Sequence, residues 1–379
     1  LCLKRNVKTK QICRLLAILW MTVLFLPFPA QADGEVLKWR VINNPGISGN
    51  VVVSPSEVNE ITVGSSGAIY AIDSENDVVY QSLDDGATWK DITSRLVDAG
   101  AGLPASKLAI APDESDTVAM VTDNGTEVYQ STDGGVTWYG TDVPSLTGTI
   151  QVITISKEYT EDDESLRDMA IGTADWGDNT TAGQVWVRQL GQSVPAWRNQ
   201  NLTVDPDNVG GEVSAIAYSP GYQRDNTLVV VASTANDTAA SYREKTWISI
   251  GQRNTVTRTT SWNAFSDYPV DITTVSSPSA GDAVAVTRIS SSLALPSNYS
   301  GSFETLRKLF VSYDRDPDAN DDVYLIDDTT PYRLDVNSGA AIDISSIAYN
   351  GTITSGKLLA GEVSGSTTVQ VRRTSNPFD

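Results

Sequence analysis

Oxygen-bearing side chains recur at alternate positions in Asp314-Arg-Asp316-Pro-Asp318-Ala-Asn320-Asp-Asp322. Calcium loops present carboxylate and amide oxygens at this rhythm, because a hard cation needs several oxygens converging from one short segment. Two positions depart from that pattern. Ala319 stands where such loops turn on glycine, and Leu325 stands where they carry a bidentate glutamate. Asp314, Asp316, Asp318, Asn320 and Asp322 are the candidate ligands, with Ca2+ as the candidate ion and no cofactor required. The competing reading is a solvated acidic hairpin turn between two strands. Glu161-Asp162-Asp163-Glu164 reads more simply as a charged loop.

Other chemistries are excluded by composition. The chain has no histidine, and its cysteines, Cys2 and Cys13, both lie near the N-terminus. A Ser–His or Cys nucleophile, an imidazole base and a thiolate or imidazole zinc site are all ruled out for the remainder. Any catalysis must run on carboxylates, Tyr, Lys or a hard metal. Two acids flanking a sugar suffice for glycoside hydrolysis, but no spacing selects a pair among the 47 Asp and Glu. Trp176, Trp186 and Trp247 offer flat surfaces for a sugar, or equally for core packing.

Residues 1–32 read as a signal peptide. Lys4, Arg5, Lys8, Lys10 and Arg14 form a basic start, Leu15 to Phe28 an apolar run, and Ala30-Gln31-Ala32 a small-x-small cleavage site. The run is short for a membrane span, so the expectation is export, to the extracellular space or cell envelope, without membrane insertion after cleavage. The net charge is −20, and removing the five basic residues of the leader takes it to −25. That argues against nucleic acid and anionic membrane surfaces, both of which need clustered positive charge. Without disulfides, residues 33–379 must fold on their own hydrophobic core. Asn-x-Ser/Thr sequons at Asn124, Asn179, Asn201, Asn236, Asn298 and Asn350 matter only in a host that glycosylates them.

One phrase occurs twice in the sequence. VYQSLDDGATW and VYQSTDGGVTW lie 49 residues apart, so that Ser82, Asp84, Gly86, Thr88 and Trp89 match Ser131, Asp133, Gly135, Thr137 and Trp138. The phrase reads as a strand, an Asp-x-Gly turn and a Thr-Trp return: Asp to accept backbone N–H groups, Gly for positive φ, Trp to bury a broad face. The spacing Ser-x-Asp-x-Gly-x-Thr-Trp resembles the Asp-box (BNR) repeat. That resemblance implies a β-propeller like those of bacterial sialidases, xyloglucan hydrolases, Vps10-type sorting receptors and a photosystem-assembly factor. It also implies that Asp84 and Asp133 are structural, away from the catalytic face. Sialidase activity would require an Arg-Ile-Pro motif, three arginines gripping a carboxylate and a Tyr–Glu pair. The nearest phrase, Trp39-Arg40-Val41-Ile42-Asn43, lacks the proline, and no spacing selects three among Arg95, Arg167, Arg188, Arg224 and Arg288.

Weaker copies extend the pattern. Inner strands are expected to begin at Leu108, Ile153, Ile216, Leu293 and Ile347. Second strands follow at 117–122, 167–173, 227–233, 308–313 and 357–362, and third strands at 184–188, 245–250, 323–326 and 368–372. Trp197 and Trp262 stand where the repeat's Trp falls, though their turns lack Asp and Gly. Residues 271–292 read as an insertion or extended loop. The expected fold is all-β, a propeller of four-stranded blades with Asp-box hairpins and about six blades, the last cut off midway because the chain stops where a turn is due. Residues 37–45 read as an outer strand awaiting a partner, which would instead close a six-blade ring. Catalytic residues are not expected. The function expected is a non-catalytic surface module binding protein or glycan through its face or loops. The alternatives are a secreted glycoside hydrolase and a protein-binding assembly or sorting factor.

Overall fold

In both copies of the repeated phrase the chain reverses through two consecutive residues of positive φ. These are Asp85-Gly86 (56° and 84°) and Gly134-Gly135 (67° and 76°). Glycine enters this left-handed region without steric cost and aspartate at modest cost, which is why the turn is written with these residue types. The apolar and aromatic strands on either side then pair antiparallel, as in Val78–Ser82 with Lys90–Asp91 and Glu127–Ser131 with Tyr139–Gly140.

The computed structural model describes residues 40–42, 57–176, 183–205, 208–209, 211–233, 245–272, 288–316, 321–337, 342–363 and 370–378. All of them belong to one unit, Leu37–Phe378. Residues 1–39, with both cysteines, lie outside the described residues, as do Asp318 and Asn320 and the side chain of Asp316.

The strands form six four-stranded antiparallel sheets, which are the blades of a β-propeller. Blade 1 comprises Val58–Val63, Ile69–Asp73, Val78–Ser82 and Lys90–Asp91. Blade 2 comprises Lys107–Ala111, Glu114–Thr122, Glu127–Ser131 and Tyr139–Gly140. Thr149–Ile155, Glu164–Ala174, Val185–Leu190 and Trp197–Asn199 make blade 3. Blade 4 holds Glu212–Tyr218, Thr227–Ser233, Thr246–Asn254 and Thr259–Trp262, and blade 5 Arg288–Ala294, Lys308–Asp316, Asp322–Asp327 and Thr330–Arg333. The expected strands fall within five residues of those observed, because each is an apolar run bounded by turn residues.

Blade 6 departs from the expectation of a blade cut off midway. It has four strands, Ile344–Thr352, Ser355–Glu362, Val371–Thr374 and, from the other end of the sequence, Arg40–Ile42. Arg40 pairs with Arg373 and Ile42 with Val371, so the outer strand expected near residues 37–45 completes this sheet. The acidic run 161–164 is a tight reversal. Tyr159–Glu161 pairs with Glu164–Leu166 through Asp162 and Asp163, whose φ values are 50° and 64°. Among the described residues no helix is long and apolar enough to cross a membrane.

Inner strands of successive blades run side by side from blade 1 to blade 6. Each hydrophobic cluster among the described residues spans one junction. Tyr70, Ile72 and Trp138 belong to the cluster joining blades 1 and 2, and Val121, Ile153 and Trp197 to that joining blades 2 and 3. Further clusters join blades 3 to 4, 4 to 5 and 5 to 6. None of these clusters joins blade 6 to blade 1. The inner strand of blade 1 accordingly exposes Ile61 and Val63, at 58% and 62%. Such side-by-side burial is the stabilising logic of repeat architectures.

Candidate functional site

The carboxylates of the matched hairpins are engaged within their own turns. Asp133 Oδ1 accepts from Thr137 N (2.9 Å), Ser131 Oγ (2.8 Å) and Val136 N (3.1 Å), and Oδ2 accepts from Thr137 Oγ1 (2.6 Å). Asp84 repeats the arrangement with Thr88 N and Ser82 Oγ, both at 2.8 Å, and Thr88 Oγ1 at 2.7 Å. The N–H groups of Gly86 and Gly135 donate to Ser82 Oγ and Ser131 Oγ. These bonds, led by the threonine hydroxyls, hold Asp84 below the usual carboxylate range and Asp133 at about 2.

In an antiparallel blade the first-to-second and third-to-fourth turns share one rim, and the second-to-third turns and blade links share the other. On the first rim a recess of about 260 Å³ opens between blades 2 and 3. Val118, Ile155, Met169 and Leu190 line it with aliphatic surface, and Glu114, Gln130, Glu158 and Arg167 supply polar groups. Arg167, on the second strand of blade 3, crosses the junction to pair with Asp113 and Glu114 of blade 2. Its Nη2 lies 3.4 Å from Glu114 Oε2 and 3.6 Å from Glu158 Oε2. Those two oxygens are thus at most about 7 Å apart, a bound that overlaps the roughly 5–9.5 Å carboxyl separations of glycoside hydrolases. Among the described residues no aromatic side chain lines the recess.

A buried polar network ties blade 3 to blade 4. Asp168 accepts from Arg253 Nε (3.1 Å), Tyr222 OH (2.6 Å) and Tyr159 OH (3.1 Å), and Arg253 Nη1 donates to Gln200 Oε1 (2.7 Å). Burial works against the charge of Arg253, but the Asp168 carboxylate together with Tyr222 and Tyr218 outweighs it and holds its pKa above the usual value. Burial and the same carboxylate push up the hydroxyls of Tyr159, Tyr218 and Tyr222. With acid and base mutually satisfied in the interior, the network is a clamp between blades.

On the second rim, strands Lys308–Asp316 and Asp322–Asp327 flank the acidic run expected to bind calcium. Asp314 of that run meets two further carboxylates among the described residues, while Asp318, Asn320 and the side chain of Asp316 lie outside them. Carboxylate oxygens of Asp314, Asp321 and Asp343 lie within 4.8 Å of one another. A cation equidistant from three oxygens so spaced would sit no more than about 2.8 Å from each, a bound that takes in the roughly 2.3–2.6 Å of calcium coordination. Asp322 is committed elsewhere: its carboxylate accepts from Val323 N (2.7 Å), Val336 N (3.0 Å) and Arg333 Nε (2.7 Å). Burial nevertheless raises its pKa.

Spacing selects neither Arg167 with its acids nor Asp343, since Arg167 meets Asp113 and Glu114, and Asp343 meets Asp314 and Asp321, across a blade junction. The tryptophans considered for a sugar floor pack instead: Trp247 is 9% exposed in the junction of blades 3 and 4, and Trp186 and Trp176 rest on neighbouring clusters. Arg95 donates to Gly135 O and Arg188 to Thr141 O, so these two and Arg167 serve three separate structural contacts.

No family model matches the chain, and no curated protein does. Among solved structures it is similar to YCF48 bound to a D1 peptide, at 10% identity and TM-score 0.46, covering 86% of this chain and 81% of that one. It is similar to the GH74 enzyme of Niastella koreensis at 12% identity and TM-score 0.49, where 85% of this chain spans 45% of that enzyme. The α-L-arabinofuranosidase Arb93A of Fusarium graminearum aligns at 13% identity and TM-score 0.41, covering 84% of this chain and 93% of that one. The propeller assignment rests on the blades themselves.

Proposed function

We propose that this protein is a non-catalytic, exported β-propeller that binds a protein or glycan partner through its turns and blade junctions. The observation that carries this reading is the recess between blades 2 and 3. Its carboxylates are tied to Arg167 over an aliphatic floor. Sugar cleavage asks for one carboxyl to give a proton and another to attack or activate water. The hairpins Ser82–Trp89 and Ser131–Trp138 are read as Asp-boxes with a structural role, their acids being used up within the turns. Export is supported by the basic start, apolar run and Ala30-Gln31-Ala32 of the leader. Asp314, Asp321 and Asp343 are proposed to hold Ca2+ in a structural role, bracing blade 5 against blade 6.

The runner-up is a glycoside hydrolase, favoured only by the separation of Glu114 and Glu158. The test pairs reducing-end release with binding, using the purified full chain on xyloglucan, arabinan and a peptide array. The expected outcome is binding without product. Product formation that disappears in Glu114→Gln or Glu158→Gln overturns the non-catalytic reading.

A further inference from the structure

The recess between blades 2 and 3 has a floor and a rim of opposite character, and together they select a ligand. We propose, building on the binding reading above, that it accepts one aliphatic chain ending in a cationic donor. That chemistry belongs to a lysine or arginine side chain of a peptide, or to a free alkyl amine.

Charge points the same way as shape. Three carboxylates, from Asp113, Glu114 and Glu158, surround the single guanidinium of Arg167, leaving negative charge in excess. Asp113 makes the closest contact to Arg167 and is the least exposed of the three acids, at 33%. Glu114 and Glu158 stand farther from the guanidinium and are 46% and 49% exposed, so they have capacity for a second cation. An incoming anion would meet all three acids. A neutral alkyl chain would match the floor of Val118, Ile155, Met169 and Leu190 but leave the rim unanswered.

A separate observation also asks for a donor. Gln130 lines the recess, and its buried Oε1 has no hydrogen-bond partner among the described residues. Such an atom costs free energy until a donor reaches it, and an ammonium brings three N–H groups, a guanidinium five. Size excludes larger ligands: at about 260 Å³ the recess falls below the roughly 300–1,000 Å³ of sites that enclose drug-sized molecules. Lysine and arginine fit by laying their stems on apolar surface with the charged head at a polar rim.

The test is fluorescence anisotropy on the purified full chain at low salt, with labelled peptides Ala-Ala-Lys-Ala-Ala and Ala-Ala-Arg-Ala-Ala and versions carrying norleucine or glutamate at the centre. The basic peptides are expected to bind about tenfold or more tighter than the norleucine peptide, a difference of about 1.4 kcal/mol. Glutamate should bind least. Glu114→Gln with Glu158→Gln should remove the preference for basic over norleucine. Ser165→Arg, at the exposed rim, leaves the acids of Arg167 in place and should block the recess with the protein's own cation. Competition by cadaverine at matched affinity assigns the recess to free amines, and its failure assigns it to peptides; both sustain the proposal. Equal affinity for lysine and norleucine peptides, or basic-peptide binding unchanged in both the double variant and Ser165→Arg, overturns it. Polysaccharide cleavage by the same preparation defeats the non-catalytic reading independently of the peptide result.

Discussion

Trp89 and Trp138 hold the same position in two matching hairpins, yet Trp138 is 4% exposed and Trp89 is 44% exposed. The difference follows from what lies behind each. Trp138 belongs to the cluster containing Tyr70 and Ile72 of blade 1. Trp197 and Trp262 likewise reach back, their indole N–H groups donating to Thr141 Oγ1 after blade 2 and to Gln200 O after blade 3. For Trp89 the preceding blade is blade 6, and no hydrophobic cluster among the described residues spans that junction.

Removing the two rings should separate these environments. Trp138→Ala is expected to cost about 3–5 kcal/mol, the range for emptying a packed aromatic site. Trp89→Ala should cost about 1 kcal/mol or less, as for a surface substitution. Urea unfolding of the two variants checks this, and equal losses would mean that Trp89 is buried in solution.

The hairpin acids predict a particular response to acid. Asp133 is held at about 2 and Asp84 is held low in the folded state, both below their unfolded values. Their stabilisation is fully present above the usual carboxylate pKa of about 4 and is lost as pH falls toward about 2. The Tm gap between the native chain and Asp133→Asn should therefore be widest at neutral pH and close below pH about 4. A gap that stays constant from pH 7 to 2 would mean the turn bonds do not favour the ionised form.

Arg253→Met leaves the carboxylate of Asp168 buried without its cation. The expected cost is about 3–5 kcal/mol, as for breaking a buried ion pair from one side. Combining it with Asp168→Leu should recover part of that loss, because no buried charge then remains. Double-mutant unfolding that instead shows simple additivity would refute coupling across the junction of blades 3 and 4.

Calcium should raise the melting temperature if Asp314, Asp321 and Asp343 hold it. At a free concentration 100 times Kd the gain is about 2.7 kcal/mol. Asp343→Asn should abolish the shift. Melting that is indifferent both to millimolar Ca2+ and to chelator removes the proposal.

What the sequence determined by itself is everything held by near neighbours along the chain. The bonds from Asp133 span two to four residues, so the hairpin could be read from Ser-x-Asp-x-Gly-x-Thr-Trp alone. Strands such as Thr227–Ser233 were legible because apolar runs bounded by turn residues are local signals. Even the outer strand Arg40–Ile42 announced itself as unpaired, although not that Val371–Thr374 would receive it. Tertiary structure alone decided the rest. Arg167 meets Asp113 only because two blades lie face to face, and Asp343 meets Asp314 for the same reason. Asp322 shared the alternating rhythm of the acidic run but was drawn to Arg333 on the adjacent strand. The exposure of Trp89 is likewise invisible in a phrase that it shares with Trp138. A blade junction is made by surfaces that the chain brings together from far apart, so the sites built there have no spacing to be read.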